Sequence, residues 1–302
     1  MTQVRLKQQP ITAKRRHKGY TAFDYINVCA LALMIFLIVY PFYYAVINSF
    51  NEGLTHGPAF IFPEKVSFRT YAIVFGDSSI VTGFVNSISR TLLGTLLSLL
   101  VCSLAAYACS KPHLRFRGLY MVLFIIPTFF DGGQIPVYLN LKNLGLLNTF
   151  WVYLIPKAFS FFWMVILMTN FKNIPSELEE AAYMDGASTL KIFVQLVLPV
   201  SLPALATIAL YAAVSQWNAW YDTAYFTTGN DLTTLSWILM RTVKEQSFAD
   251  MANDMNNINN MGYNPEGVKM ATMVVAAVPI IMIYPFLQRF FVKGLMVGSI
   301  KG

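Results

Sequence analysis

Residues 180–199 read Glu180-Ala181-Ala182-Tyr183-Met184-Asp185-Gly186-Ala187-Ser188-Thr189-Leu190-Lys191-Ile192-Phe193-Val194-Gln195-Leu196-Val197-Leu198-Pro199. This is a charged, glycine-punctuated hairpin set between two long apolar stretches. A polar segment so placed lies outside a bilayer, and an exposed helix there is built to be held by something. The spacing predicts a first helix over 176–184, with Ser176 as N-cap and Glu179 as its N3 partner in a capping box. Gly186 supplies the left-handed residue that reverses the chain, and a second helix over 188–198 leads to Pro199. Ala181 and Ala182 carry no bulk, so the first helix fits closely into a groove of another protein. Glu177, Glu179, Glu180 and Asp185 offer that protein carboxylates. The plain alternative is a solvated hairpin.

Across the whole chain, 56% of the residues are apolar and only 12% are charged, where a soluble globule carries about 25% charged residues. Apolar runs of about 20 residues, the length that spans a hydrocarbon core of about 30 Å, recur over 24–50, 83–109, 118–138, 151–171, 198–225 and 269–291. Backbone groups in lipid must be satisfied internally, so these runs are helices or protein-buried breaks in helices. The expected fold is all-α and polytopic, with six transmembrane helices. Arg5, Lys7, Lys14, Arg15, Arg16 and Lys18 crowd the N-terminal arm; Lys111, Arg115 and Arg117 follow span two, and Arg289, Lys293 and Lys301 the last span. The positive-inside rule then places both termini and the hairpin in the cytoplasm. The net charge of +7 is thus a topology signal and argues against a nucleic-acid partner. The first apolar run is too long for a signal peptide and lacks a small-residue cleavage site, which predicts a retained helix. Cys29, Cys102 and Cys109 sit in or at the edge of apolar runs, and the three histidines are scattered; no metal site is expected.

The boundaries expected are a basic arm at 1–23, a transmembrane domain at 24–291 and a tail at 292–302. External loops fall near 51–82, 139–150 and 226–268, and the cytoplasmic loop near 172–197. A short interfacial helix is expected from Ser67. Span two carries Gly83, Ser87, Gly94, Ser98, Ala105 and Ala106, small residues that let helices approach closely in the bundle interior. Arg90 lies within that span and is either functional by virtue of its depth or a snorkelling residue at a misplaced boundary. Pro127 and Pro136 bracket Gly132-Gly133 and interrupt span three. Asp131 and Gln134 thereby border a cavity, or simply end a helix at the outer interface. Span five ends in Gln216-Trp217-Asn218-Ala219-Trp220-Tyr221-Asp222. The rings alone make an interfacial belt, but the interleaved Gln216, Asn218 and Asp222 also suit a sugar, whose C–H faces stack and whose hydroxyls hydrogen-bond. Residues 226–268 form a long segment without clear periodicity, of the kind that is functional or disordered; it holds Asn253, Asn256, Asn257, Asn259 and Asn260.

The hairpin resembles the EAA loop of ABC importer permeases, in its Glu-Ala-Ala start, its Gly186 after three intervening residues and its Leu196-x-Leu198-Pro199 end; Leu196 stands where the family usually has Ile. Asn86-Ser87, Ala105-Ala106-Tyr107-Ala108 and Trp217-Asn218 are similar to the carbohydrate-importer core. The tail, from Phe291 to Gly302, resembles that of the smaller maltose-type permease. Similarity extends over 24–302, nearest the lipoprotein-associated and alginate-type permeases. The resemblance implies the type I ABC importer permease fold in a multi-pass protein of the bacterial cell membrane. It implies a heterodimer with a second homologous permease, two ATPase subunits and an extracellular solute-binding protein. Glu180, Ala181, Ala182, Asp185 and Gly186 would couple to the ATPase. Lys293, Gly294, Gly298, Lys301 and Gly302 would reach between the ATPases, and the asparagines of 253–260 would occupy the place of the loop entering the binding protein. Asp131, Gln134, Gln216, Trp217, Asn218, Trp220 and Asp222 would line the substrate pathway. No P-loop motif occurs, so the chain is expected to be no enzyme and to bind no cofactor, with ATP and Mg2+ held by the ATPases. The cargo implied is an oligosaccharide, and the acidic residues of 226–268 lean towards a neutral one. The alternative is a secondary, ion-coupled transporter, which would show internal repeats and coupling carboxylates and no docking hairpin.

Overall fold

A computed structural model describes residues 21–51, 59, 61–63, 65–130, 132–251 and 265–298. Among these the regular structure is helical apart from one isolated antiparallel bridge, Asn51 with Val66. Contacts divide the chain into two compact units, 1–44 and 45–302. The first holds most of α1 (Ala22–Ser49), which is exposed along almost its whole apolar length. Its aromatic ladder sets Phe36 against Tyr40 at 5.6 Å and Tyr40 against Tyr44 at 6.4 Å.

The second unit is organised around α3 (Ser78–Ser110), preceded by the short helix expected after Ser67, α2 (Arg69–Gly76). Asp77 caps α3 by accepting from the Ser79 backbone N–H at 2.8 Å, satisfying one of the donors a helix start leaves open. The inward face of α3 carries the small residues Gly83, Ser87, Gly94, Ser98, Cys102 and Ala106, while Leu92, Leu93, Leu96, Leu100 and Leu104 point away from the protein. A Cβ on Gly94 would lie 2.5 Å from the Gln216 side chain, and one on Gly83 2.7 Å from Ile238. The expectation that span two packs in the interior holds: hydrogen at these positions lets other helices meet α3 closely.

The third apolar run is broken where the prolines predict, into α4 (Arg117–Phe129) and α5 (Gln134–Asn143). The fourth differs from expectation. Residues 150–153 make one 3-10 turn and α6 begins only at Phe161, running to Lys172. Pro156 has no N–H to continue a helix, and the turns that follow find partners on α3. The Ser98 hydroxyl donates to the Lys157 carbonyl at 2.9 Å, and the Cys102 thiol contacts the Ser160 carbonyl at 3.7 Å. Its Lys157 and Ser160 carbonyls thus find protein partners, as irregular backbone in lipid requires.

After α6 come α7 (Ser176–Met184) and α8 (Thr189–Ile192), then a π turn over 193–197 and α9 (Leu198–Val200). A bend of 82° leads into α10 (Leu202–Asn218), followed by α11 (Tyr221–Phe226). The segment expected to be irregular, 226–268, contains α12 (Leu235–Met251). Its apolar residues recur at Leu235, Ile238 and Leu239, a helical spacing overlooked beneath the polar composition. The last helix, α13 (Pro265–Gly298), continues well past the predicted end of span six. Among the described residues two helices, α1 and α3, are long and apolar enough to cross a membrane, or four spans if each bent pair is one; six were expected.

Candidate functional site

Two assemblies lie at different levels of α3. The first is the hairpin. At the C-terminal end of α7, Gly186 has φ +76°. Its N–H donates to Tyr183 O, and that of Ala187 to Ala182 O, both at 3.0 Å. This is a Schellman closure, which satisfies carbonyls the helix end would leave open. The second helix is capped by Ser188, whose hydroxyl accepts from the Lys191 N–H at 3.4 Å. The capping box predicted at the start of α7 is not formed: Ser176 is the first helical residue, after Pro175, and no side chain caps it. Glu179 instead accepts from the Lys111 ammonium at the end of α3 and from the Tyr107 hydroxyl at 3.3 Å. A charge-assisted bond to an ammonium is stronger than one to a neutral backbone N–H, and Lys111 is within reach.

The hairpin is therefore two-faced. Ala182 and Ala187 pack on a core built from Cys102, Tyr107, Met164, Leu167, Phe171, Phe193 and Val197. In that core the Tyr107 and Phe193 rings are 4.9 Å apart. Outward stand Glu180, Ala181, Asp185 and Gly186, all exposed, together with Met184 at 89% exposure. A nearly bare methionine between carboxylates is a surface suited to a protein partner. The core behind it ties any displacement of α7 to α3, α6 and the π turn.

The second assembly lies nearer the N-terminal end of α3. Arg90 is completely buried, so it does not snorkel. Its Nη2 is 2.5 Å from Asp222 Oδ2 and donates to Gln216 Oε1 at 3.1 Å, while Nη1 donates to the Ala219 carbonyl at 2.8 Å. The guanidinium lies over the Tyr153 ring, 4.3 Å from its centroid. Lys157 Nζ reaches the same Asp222 oxygen at 2.6 Å. Two cations thus share one carboxylate, the kind of pairing that buried ionisable groups in membrane proteins require. Arg90 also takes up a carbonyl freed where α10 ends, fixing the break before α11.

The predicted pathway residues are dispersed by this arrangement. Gln216 and Asp222 are buried partners of Arg90. Trp217 is buried against Val74, Ile80 and Leu235, and its Nε1 donates to the Ala276 carbonyl at 3.1 Å. Asn218 is exposed, donating to the Val214 carbonyl at 3.0 Å. Trp220 stacks on Trp237 with centroids 6.3 Å apart, and Gln134 is exposed at the first residue of α5. Asp131, Asn253, Asn256, Asn257, Asn259, Asn260, Lys301 and Gly302 lie outside the described residues. Lys293, Gly294 and Gly298 belong to the last turns of α13. Sequence reasoning missed Lys157 and the Lys111–Glu179 pair; the signal for Lys157 was a second cation inside an apolar run.

Apolar helices around a buried ion cluster, with one polar hairpin presented at the surface, define a helical membrane transport component. Residues 98–297 match the family described as "Binding-protein-dependent transport system inner membrane component", and the chain belongs to that family. It is 36% identical over 283 residues to the polygalacturonan/rhamnogalacturonan transport system permease protein of Bacillus subtilis, covering 93% of this chain and 98% of that one. It is 28% identical to the trehalose/maltose transport system permease protein of Thermococcus litoralis, over 89% and 94% of the two chains. Among solved structures, a chain of a bacterial ABC transporter involved in the import of the acidic polysaccharide alginate superposes with a TM-score of 0.82. That pair is 31% identical, with 90% of this chain and 99% of the other covered.

Proposed function

We propose that the chain is a permease subunit of an ATP-driven importer that moves an oligosaccharide delivered by a solute-binding protein. The observation that carries this is the two-faced hairpin: α7 and α8 closed at Gly186, anchored inward through Ala182 and Ala187, with Glu180, Ala181, Met184 and Asp185 presented outward. Sugar cargo is supported by the carbohydrate systems to which the similar permeases belong.

In this reading the chain crosses a bacterial cell membrane six times between residues 24 and 291, with α4/α5 as a broken span. The 1–23 arm, the 172–197 loop and the 292–302 tail face the cytoplasm. A second, homologous permease completes the pathway. Two ATPase subunits receive the hairpin and the tail and hold ATP and Mg2+, while the segment with Asn253 to Asn260 meets the binding protein outside. ATPase closure pulls α7, and the core behind it turns the bundle between inward-open and outward-open states. Asp131, Gln134, Asn218 and Trp220 border the pathway, whereas Gln216 and Asp222 hold its wall in place through Arg90.

Gentle solubilisation followed by pull-down of the tagged chain tests this reading. An ATPase should co-purify with it, and the reconstituted complex should take up sugar only with ATP. Uptake driven by an ion gradient without ATP would contradict it.

A further inference from the structure

The turn between α3 and α4, residues 111–116, lies at the hairpin's end of the bundle, where Lys111 binds Glu179. The other cations at this corner have no such partner: among the described residues, no carboxylate pairs with Arg115, Arg117 or Lys172. They are nevertheless held close. Leu114 and Met121 on one side and Ile174 on the other pack on the core that contains Cys109 and Phe171. Arg117 at the start of α4 and Lys172 at the end of α6 both come near enough for their charges to act on the Cys109 thiol. Like charges gathered without a counter-charge repel one another, so the corner draws an anion from outside the chain.

Two apolar features narrow the class of anion. Phe116, between the two arginines, holds φ +59°, which a bulky residue rarely adopts. Its ring is 61% exposed, with the Arg115 guanidinium 4.9 Å from its centroid. From Arg117 onward α4 presents Leu119, Val122, Leu123 and Ile126, all exposed, at the i, i+3, i+4 and i+7 positions of one helical face. An apolar stripe therefore starts at the cations, with an aromatic ring at the junction, as aromatic side chains gather where lipid tails give way to headgroups. A soluble anion would meet the cations and leave ring and stripe bare. A phospholipid engages all three.

We propose that this corner is a binding site for an anionic phospholipid. The phosphate lies among Arg115, Arg117 and Lys172, the planar arginine forks suiting it bidentately. Phe116 enters the boundary between headgroups and chains, and an acyl chain follows the α4 stripe. Because Lys111 and Arg115 belong to one turn, the lipid steadies the end of α3 to which the hairpin is tied through Glu179. The assignment needs the chain to sit in a membrane and is independent of what the chain transports.

The test reconstitutes the tagged chain, with the subunits that accompany it, in phosphatidylcholine nanodiscs. Brominated phosphatidylglycerol or brominated phosphatidylcholine is added in graded shares, because bromine quenches only an indole that it touches. Phe116→Trp supplies the reporter, and quenching of the chain without it is subtracted. The introduced indole should reach half quenching at a several-fold lower share of phosphatidylglycerol than of phosphatidylcholine. Each basic residue near an anionic surface is worth about fivefold in affinity. Arg115→Gln with Arg117→Gln should therefore cut phosphatidylglycerol affinity about 25-fold, and Lys172→Gln added to them should leave no preference. Equal quenching by the two lipids before any charge is removed overturns the proposal. No quenching by either assigns the corner to a protein partner and also overturns it, as does displacement of phosphatidylglycerol by inorganic phosphate at matched ionic strength, which assigns a soluble anion. Should the charge variants fail to assemble, salt replaces them. Raising it from about 0.1 M to about 1 M shortens the screening length from about 10 Å to about 3 Å and should reduce the preference several-fold; an unchanged preference overturns the proposal.

Discussion

Arg90 Nη2 and Asp222 Oδ2 lie 2.5 Å apart with the arginine wholly buried, joining α3 to α11 across the break that follows α10. Removing one member of a buried pair strands the other charge at a cost of about 3–5 kcal/mol. Asp222→Asn strands two cations. It should lower the unfolding temperature and yield of the detergent-solubilised complex more than Lys157→Gln, because the Lys157 side chain keeps 32% exposure. A thermal-shift series on the two variants checks the order.

Gly94 meets Gln216 so closely that any side chain intrudes. Gly94→Val should destabilise by at least the 1–3 kcal/mol typical of overpacking and disturb the Gln216–Arg90 bond. Gly118→Val, where nothing lies within 4 Å of the added Cβ, is the control and should behave as the native protein in the same thermal-shift assay.

Glu179 is tied to Lys111 and Tyr107, linking the start of the hairpin to the end of α3. Glu179→Gln should weaken stimulation of ATP hydrolysis by loaded binding protein several-fold while the complex still assembles. Reversing the pair, Lys111→Glu with Glu179→Lys, should restore part of it. Stimulation assays on the two variants decide whether this bond transmits motion.

What the sequence reveals follows the range of the interaction that makes it. The hairpin is readable because its Gly, its alanines and its carboxylates act on near neighbours, and the Gly186 reversal forms as expected. The α4/α5 break is readable from two prolines and two glycines. By contrast, Glu179 points away from the predicted capping box because Lys111 arrives from a helix 68 residues earlier. Gln216 and Asp222 resemble sugar ligands in the chain but are claimed by Arg90, more than a hundred residues away. The loss of helix before Phe161 has a local cause in Pro156, yet it is tolerable only because α3 supplies hydrogen-bond partners that no local pattern shows.

If the α7–α8 hairpin carries ATPase motion into the helices, its reversal at Gly186 must stay intact. Its φ of +76° is closed to proline, which is fixed near −65°, and open to asparagine at modest cost. Binding-protein-stimulated ATP hydrolysis should be measured on reconstituted complexes carrying Gly186→Pro and Gly186→Asn. Proline should abolish the stimulation and asparagine keep most of it. Full stimulation in an assembled Gly186→Pro complex would contradict that role of the hairpin.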